Sequence, residues 1–169
     1  MKVVYILWLR QIKRFFRSKA RIIGSVGQPL LFLLALGFGM GPIFEKAGEG
    51  NYISFLSPGI IGMTILFSSI FNGVDVIWDR QFGFLKETLV APVSRFKIIL
   101  GRTLGGATTS FLQGLIVLAI TIPIGFNPNW SMLHIAVVFM FLIALFFTAL
   151  GTSIGSSLTD MQAFQLIMN

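Results

Sequence analysis

Four long apolar stretches are the feature that most restricts what this chain of 169 residues can fold into. A membrane-spanning helix needs about 20 consecutive, mostly apolar residues. The segments that meet this requirement cover about residues 22–44, 57–78, 98–124 and 133–155. Only 11% of the chain is charged, whereas a soluble domain carries about 25%. The sequence therefore predicts one all-α domain over residues 1–169, a polytopic transmembrane helix bundle.

Local signals refine the limits of these spans. Pro29 predicts a kink in the first span, and Ser57 with Pro58 predicts an N-cap and first turn for the second. A fifth apolar run begins near Ala163 and stops at Asn169 after a few residues. Because so short a run cannot cross a bilayer, we expect the chain to be truncated at its C-terminus.

Scarce residue types narrow the possible functions. The chain has no cysteine, which excludes disulfides and thiolate metal sites, and its single His134 excludes histidine clusters. We expect no catalytic residue, cofactor or metal, and no enzymatic activity on this chain. The net charge of +7 is compatible with nucleic-acid binding, but the basic residues lie where a membrane protein places them, so no nucleic-acid partner is expected.

The distribution of Lys and Arg predicts the orientation. Seven lie before the first span, one in the first connection, five in and beside the second connection, and none in the third or fourth. Because cytoplasmic connections are rich in Lys and Arg, we expect a multi-pass protein of the cell (plasma) membrane with its N-terminus and second connection in the cytoplasm.

Residues 2–21 form a separate pattern. Aromatic and aliphatic side chains recur at helical spacing on one face: Tyr5, Trp8, Leu9, Ile12, Phe15 and Phe16. Cations recur at the same spacing on the opposite face: Arg10, Lys13, Arg14, Arg17 and Arg21. The pattern predicts an amphipathic helix in the membrane interface, with its cations toward lipid phosphates. The alternative is that these charges only hold the inner end of the first span.

The charged segment "DRQFGFLKETLVAPVSRFK", residues 79–97, separates two of the most apolar stretches. Phe82, Leu85 and Leu89 lie at helical spacing, and Pro92 biases the residue before it away from helical angles. Ser94 is then available to cap the next helix. The spacing predicts a short cytoplasmic helix, although a well-formed turn between two spans is the simpler alternative.

The run "WDRQFGFLKETLVAPVSRFKIILGRTLGG" resembles the loop after the second span of type-2 permeases of ATP-binding-cassette exporters, the daunorubicin-resistance-like group. The preceding "FLSPGIIGMTILFSSIFNG" and the basic amphipathic start are similar to that family too. The family usually has six spans, so the resemblance implies that about one and a half are missing here. Gln81 departs from the family, in which glutamate is common at this position.

The resemblance implies that residues 79–92 contain a coupling helix, which sits in a groove of a nucleotide-binding subunit. The side chains implied to contact that subunit are Arg80, Phe82, Phe84, Leu85, Lys86, Glu87 and Leu89. The chain has no "GxxxxGK[ST]" motif, so any ATP hydrolysis belongs to partner chains. The implied partners are two ATPase subunits and a second permease copy.

Small residues line one side of the third span, in the run "GRTLGGATTS". Gly101, Gly105 and Gly106 are therefore expected to allow close helix packing, with lining of a substrate path as the alternative. Asp75 is the only acid within a span, and we expect it to be solvated or paired, with Arg102 as a partner. Arg102 itself is expected to extend its charge toward the interface.

Together with these patterns, the resemblance implies a membrane subunit of an ATP-driven exporter for an amphiphilic drug, lipid or glycan. An ion-coupled secondary transporter is the main alternative, and it generally needs titratable groups near the bilayer midplane. No acid, Lys, Arg or His falls at the centre of the four predicted spans. A scaffold without transport activity leaves the capped helix at residues 79–92 unexplained.

Overall fold

The computed structural model describes residues 2–47, 50–81 and 94–157, with the backbone alone at positions 21, 73, 74, 76, 78, 80 and 81. The helices in these ranges are α1 (Lys2–Arg17), α2 (Lys19–Lys46), α3 (Tyr52–Gln81), α4 (Arg95–Ile124) and α5 (Leu133–Ser157). No strand occurs within the described ranges. The predicted all-α fold class is confirmed.

Four of the described helices are long and apolar enough to cross a membrane, judged by length and composition. The candidate spans are Ile22–Lys46, Tyr52–Asn72, Arg95–Ile124 and Leu133–Ser157. Many large apolar side chains on their outer surfaces are exposed, including Leu31 at 69% and Phe139 at 60%. Such a surface is suited to lipid rather than water.

The N-terminal helix is shorter than the predicted residues 2–21. It ends at Arg17, because Ser18 has non-helical angles (φ −96°, ψ 76°), and α2 begins directly afterwards at Lys19. Arg21 therefore belongs to α2 and not to the predicted interfacial helix.

The predicted start of the second span is wrong. Helix α3 begins at Tyr52, where the Asn51 side-chain Oδ1 accepts hydrogen bonds from the backbone N–H groups of Ile53 (2.9 Å) and Ser54 (3.4 Å). Ser57 lies inside the helix and donates its hydroxyl to the Ile53 carbonyl at 2.6 Å. Asn51 therefore performs the capping role that the sequence pattern assigned to Ser57.

The predicted cytoplasmic helix at residues 79–92 lies outside the described residues from residue 82 onward, while residues 79–81 belong to α3. Its flanks are described: α3 continues to Gln81, and α4 begins at Arg95, as predicted from Ser94. Ser94 occupies the N-cap position in an extended conformation, and its hydroxyl makes no capping hydrogen bond within the described part of the chain.

Helix α4 is the central element, since it packs against each of the other four described helices. Its buried apolar side chains, such as Val117 and Leu118, join a core that contains Leu33 of α2, Ile65 of α3 and Ala144 of α5. Gly114 allows this approach, because a Cβ there would lie 2.5 Å from Ile65 Cγ1. The core therefore depends on small residues of α4 facing larger side chains of its neighbours.

Candidate functional site

A cluster of charged side chains, of which Asp75, Asp79 and Arg102 are buried, lies near the C-terminal end of α3. Asp79 of α3 accepts a hydrogen bond from Arg102 Nη2 of α4 at 2.6 Å, and its other carboxylate oxygen lies 3.6 Å from Arg10 Nη2 of α1. Asp79 and Arg102 are only 8% and 5% exposed. This one carboxylate therefore connects three helices.

A second ion pair extends the cluster by one helical turn. Asp75 Oδ1 of α3 lies 3.6 Å from Arg14 Nη2 of α1, and Asp75 is 7% exposed. Both acids and both arginines are spaced four residues apart, so each pair lies on one helix face. Because Arg10 meets Asp79 while Arg14 meets Asp75, α1 runs antiparallel to this end of α3. We call Arg10, Arg14, Asp75, Asp79 and Arg102 the charge cluster.

The charge cluster corrects two expectations about Arg102. Asp75 is paired, as expected, but it forms an ion pair with Arg14, whereas Arg102 bonds Asp79. Arg102 is buried in the bundle and does not extend into solvent. Its Nε and Nη1 atoms have no hydrogen-bond partner in the described part of the protein, so Asp79 supplies the counter-charge on which its burial depends.

Helix α1 packs along the small-residue side of α4. A Cβ at Gly101 would lie 3.0 Å from the Val4 carbonyl oxygen, and one at Gly105 would lie 2.8 Å from Gln11 Cβ. Trp8 Nε1 donates to Thr108 Oγ1 at 3.0 Å. Residue numbers at successive contacts increase in the same direction along both helices, so α1 runs parallel to α4.

The two faces predicted for α1 are divided differently in the structure. Leu7 and Phe15 are buried, while Tyr5 and Phe16 are both 59% exposed. Among the cations, Arg10 and Arg14 reach the acids of α3, whereas Lys13 and Arg17 are exposed and line an open groove beside Ser18. Thus α1 has one face against α4, one against α3, and a further apolar and cationic surface left uncovered.

A polar network crosses the bundle interior next to this region. Asn72 Nδ2 of α3 lies within hydrogen-bonding distance of the Gly106 carbonyl (3.0 Å) and of Ser110 Oγ (2.8 Å) on α4. Gly106 fits here because a Cβ would lie 2.7 Å from Thr148 Cγ2 of α5 and 3.2 Å from Asn72 Cβ. Close approach at Gly106 therefore allows three helices to meet around the Asn72 carboxamide.

The network continues from α4 to α2. Ser68 donates to Gln113 Oε1, and Gln113 Nε2 donates to Ser25 Oγ at 3.0 Å. Gln113 is only 3% exposed. The carboxamide of Gln113 thus links α2, α3 and α4, as polar side chains inside membrane spans commonly do.

A cavity of about 650 Å³ lies between α2 and α3 beside this network, with Gln113 of α4 at its boundary. Aromatic and aliphatic side chains form most of its wall, among them Phe32, Met63, Phe67 and Phe71. The volume is within the range of about 300–1,000 Å³ that is typical of small-molecule sites.

The predicted coupling residues are only partly within reach of the structure. Arg80 lies in the last turn of α3, one residue beyond Asp79, and only its backbone is described. Phe82, Phe84, Leu85, Lys86, Glu87 and Leu89 lie outside the described residues. Among the described residues, no group of three His, Asp or Glu side chains could hold a metal ion.

Sequence reasoning missed how the charge cluster and the cavity assemble. A signal for the cluster was present, since both Arg10 with Arg14 and Asp75 with Asp79 have the four-residue spacing of a helix face. The cavity had no comparable signal, because its wall consists of residue types that also face lipid.

Comparison with known proteins agrees with an architecture of membrane-spanning helices. The family model described as ABC-2 type transporter matches residues 2–169. The chain is 32% identical over 146 residues to a protein of Cyanophora paradoxa named as a transport permease, ycf38, covering 79% of this chain and 49% of that protein.

Two further relatives carry more specific names. Nodulation protein J of Azorhizobium caulinodans is 30% identical over 129 residues, which are 75% of this chain and 51% of that protein. A Mycobacterium tuberculosis protein named as a doxorubicin resistance ABC transporter permease, DrrC, is 25% identical over 118 residues, 70% of this chain and 43% of that protein. No solved structure matches the chain.

The chain is a multi-pass membrane protein of the transporter class. It belongs to the ABC-2 type transporter family, as the resemblance in the sequence predicted. It spans about half the length of the curated relatives that it matches.

Proposed function

We propose that this chain is the membrane-spanning permease subunit of an ATP-binding-cassette exporter, and that separate ATPase subunits supply the energy. Family membership supports this proposal. The single structural observation that carries the mechanism is the charge cluster, in which Asp79 contacts both Arg102 and Arg10.

The cluster ties together the two helices that flank residues 82–93. These residues follow α3 and precede α4, and the Asp79–Arg102 pair ties the two helices together close to the segment. Arg10 ties α1 to the same carboxylate. A load applied to residues 82–93 is therefore transmitted to three helices as a rigid-body displacement.

Residues on the segment divide by chemistry into two sets. Phe82, Phe84, Leu85 and Leu89 pack against a groove of the ATPase, while Arg80, Lys86 and Glu87 make polar contacts around them. ATP binding closes two ATPase subunits on each other. The movement of each subunit is transmitted to one of two identical permease copies. The N-terminus and residues 82–93 face the cytoplasm of a cell (plasma) membrane, because the Lys and Arg residues concentrate there.

The membrane surface takes part through α1. Lys13 and Arg17 are exposed on this helix beside the apolar side chains of Ile6 and Phe16, of which 61% and 59% are exposed. We assign this surface to the interface, with its cations near lipid phosphates. Gly101, Gly105 and Gly106 serve helix packing, since added Cβ atoms would meet neighbouring helices at 2.7–3.0 Å.

The transported substrate is an amphiphile, in the class of drugs, lipids or lipid-linked glycans. The apolar cavity between α2 and α3 supports this class. Names of two relatives, the doxorubicin resistance permease and nodulation protein J, are compatible with export of such molecules.

Affinity purification of the chain from membranes tests the proposal. A P-loop ATPase is expected to co-purify with the wild type and to be lost when Lys86→Glu and Glu87→Lys are combined. The matched control reverses the adjacent pair Glu45 and Lys46 at the other end of the first span, and it is expected to retain the ATPase. Retention of the ATPase at wild-type stoichiometry in the 86/87 variant would refute the coupling assignment.

A further inference from the structure

We infer that the cavity between α2 and α3 is a binding site for an uncharged amphiphile that carries a hydrogen-bonding headgroup on an apolar body. The inference rests on the proposed export function and goes beyond it by locating the site and by excluding charged substrates from it. The supporting observations are the apolar wall of the cavity, its polar boundary, the Gln28 carboxamide and the absence of ionisable side chains from the described lining.

The wall of the cavity is suited to an apolar body. Phe32 is 56% exposed, Met63 59%, Phe67 45% and Phe71 50%, and all four line the same cavity. A ligand against these side chains removes apolar surface from contact with any water in the cavity.

The polar boundary is held in a fixed orientation. Gln113 accepts from Ser68 and donates to Ser25 Oγ, so its carboxamide is fixed between two hydroxyl groups that also line the cavity. Pro29 lies inside α2 and has no N–H to donate to the Ser25 carbonyl, four residues earlier. The boundary therefore offers neutral groups whose positions exist before a ligand arrives.

Gln28 points to a ligand most directly. It lies one residue before Pro29 on the cavity wall, is exposed, and has no hydrogen bond among the described residues. Within a membrane-spanning helix, a carboxamide left without a partner in hydrocarbon is strongly unfavourable. A ligand headgroup that both donates and accepts hydrogen bonds satisfies Gln28 where a lipid tail cannot.

The lining contains no ionisable side chain within the described part of the chain. A cation or anion in so apolar a site would lose its hydration without gaining a counter-charge, which is strongly unfavourable. The ligand class is therefore neutral, with an amide, hydroxyl or sugar group at one end. A packed helix of a second copy or of another chain segment is the competing occupant, and it would bury Gln28 against apolar side chains.

Photolabelling in lipid nanodiscs tests the inference. Four probes share a dodecyl diazirine tail and differ in the headgroup: a primary carboxamide, a trimethylammonium, a sulfonate or a hydrogen atom. We expect the carboxamide probe to label residues of α2 and α3 around the cavity at least tenfold more than the charged probes. Equal labelling by all four probes would mean ordinary lipid contact and would overturn the inference, as would equal labelling by a charged probe.

Two variants, each with a matched control, test whether labelling depends on the cavity and on Gln28. Met63→Trp fills the cavity and is expected to suppress labelling, whereas Ile43→Trp, at a similarly exposed position outside the cavity (63%), is expected to leave it unchanged. Gln28→Leu is expected to weaken binding of the carboxamide probe about tenfold, the effect of one lost hydrogen bond, while binding of the headgroup-free probe changes less than about twofold. The control for this variant is Leu31→Ala.

The result is separable from the proposed function, because ATPase co-purification is measured on the same samples. Absence of labelling together with a cysteine cross-link from Met63→Cys to a second copy or to another segment of the chain would show that protein occupies the cavity. That outcome overturns the binding site while leaving the exporter assignment intact.

Discussion

Arg102 and Asp79 form a buried hydrogen-bonded ion pair, with Arg102 Nη2 2.6 Å from Asp79 Oδ2. The pair joins α4 to α3 across the connection that contains residues 82–93. Arg10 contacts the other oxygen of the same carboxylate, so the N-terminal helix shares the attachment.

Asp79→Asn is expected to lower the free energy of unfolding by about 3–5 kcal/mol, because it leaves the buried charge of Arg102 without its counter-charge. Replacing both partners, as Asp79→Leu with Arg102→Met, is expected to restore most of the loss. Unfolding by sodium dodecyl sulfate in mixed micelles measures both. A double variant no more stable than the single one would contradict the interpretation of the pair.

The position of α1 on α4 predicts a disulfide. The Leu7 Cβ lies 3.0 Å from the place a Cβ would take at Gly101, and disulfides need about 3.5–4.5 Å, so a small separation of the helices is sufficient. Leu7→Cys with Gly101→Cys is expected to cross-link rapidly under mild oxidation, with no native cysteine to interfere. Tyr5→Cys with Gly101→Cys is the control, and equal cross-linking in both would refute the packing.

Close contact between α3 and α5 predicts that Gly151→Ala is destabilising. The added Cβ would lie 2.7 Å from the Ile70 carbonyl oxygen and 3.0 Å from its Cα. Backbone atoms cannot move aside cheaply, and the expected cost is about 1–3 kcal/mol. Gly62→Ala, where nothing lies within 4 Å, is expected to be neutral or slightly stabilising in the same unfolding assay.

The Asn72 network predicts a smaller effect. Asn72→Leu removes hydrogen bonds to the Gly106 carbonyl and to Ser110, and such bonds in membranes contribute about 0.6–2 kcal/mol each. Unfolding in mixed micelles should show a loss in this range. Gln28→Leu removes a carboxamide with no bond to the described residues and is expected to leave stability unchanged or to raise it, whereas similar losses in both variants would contradict a specific role of the network.

The exposed cations of α1 predict dependence on anionic lipid. Lys13→Glu with Arg17→Glu is expected to reduce retention of phosphatidylglycerol at least tenfold, since each basic residue near the surface contributes about 1 kcal/mol. Native mass spectrometry measures the retained lipid, and Lys46→Glu is the control. Unchanged retention of phosphatidylglycerol would show that Lys13 and Arg17 do not bind lipid at the proposed membrane interface.

Hydrophobic length predicted the spans well. The third span, in α4, ends at Ile124 and the fourth span begins at Leu133, both as predicted, because the apolar runs are bounded there. The predicted start of the second span was wrong because Ser57 and Pro58 match a capping rule that considers only neighbouring residues. The helix extends to Asn51, whose side chain caps it instead.

Pairings between distant residues were harder to predict. Asp75 was expected to be solvated or paired, but its partner Arg14 lies 61 positions away in the numbering and depends on how α1 lies against α3. Periodicity shows which side chains share a face without showing which faces meet. The part of the predicted cytoplasmic helix beyond residue 81 lies outside the described residues and stays a prediction.

The 100-residue separation between Trp8 and Thr108, which bond at 3.0 Å, has a consequence for biosynthesis. Ribosomes add about 5–20 residues per second, so α1 exists for roughly 5–20 seconds before its binding surface on α4 has been translated. During that interval the newly made amphipathic helix has no docking site on α4. In the nascent chain, α1 can therefore pack on α4 only late, after the third span has been translated.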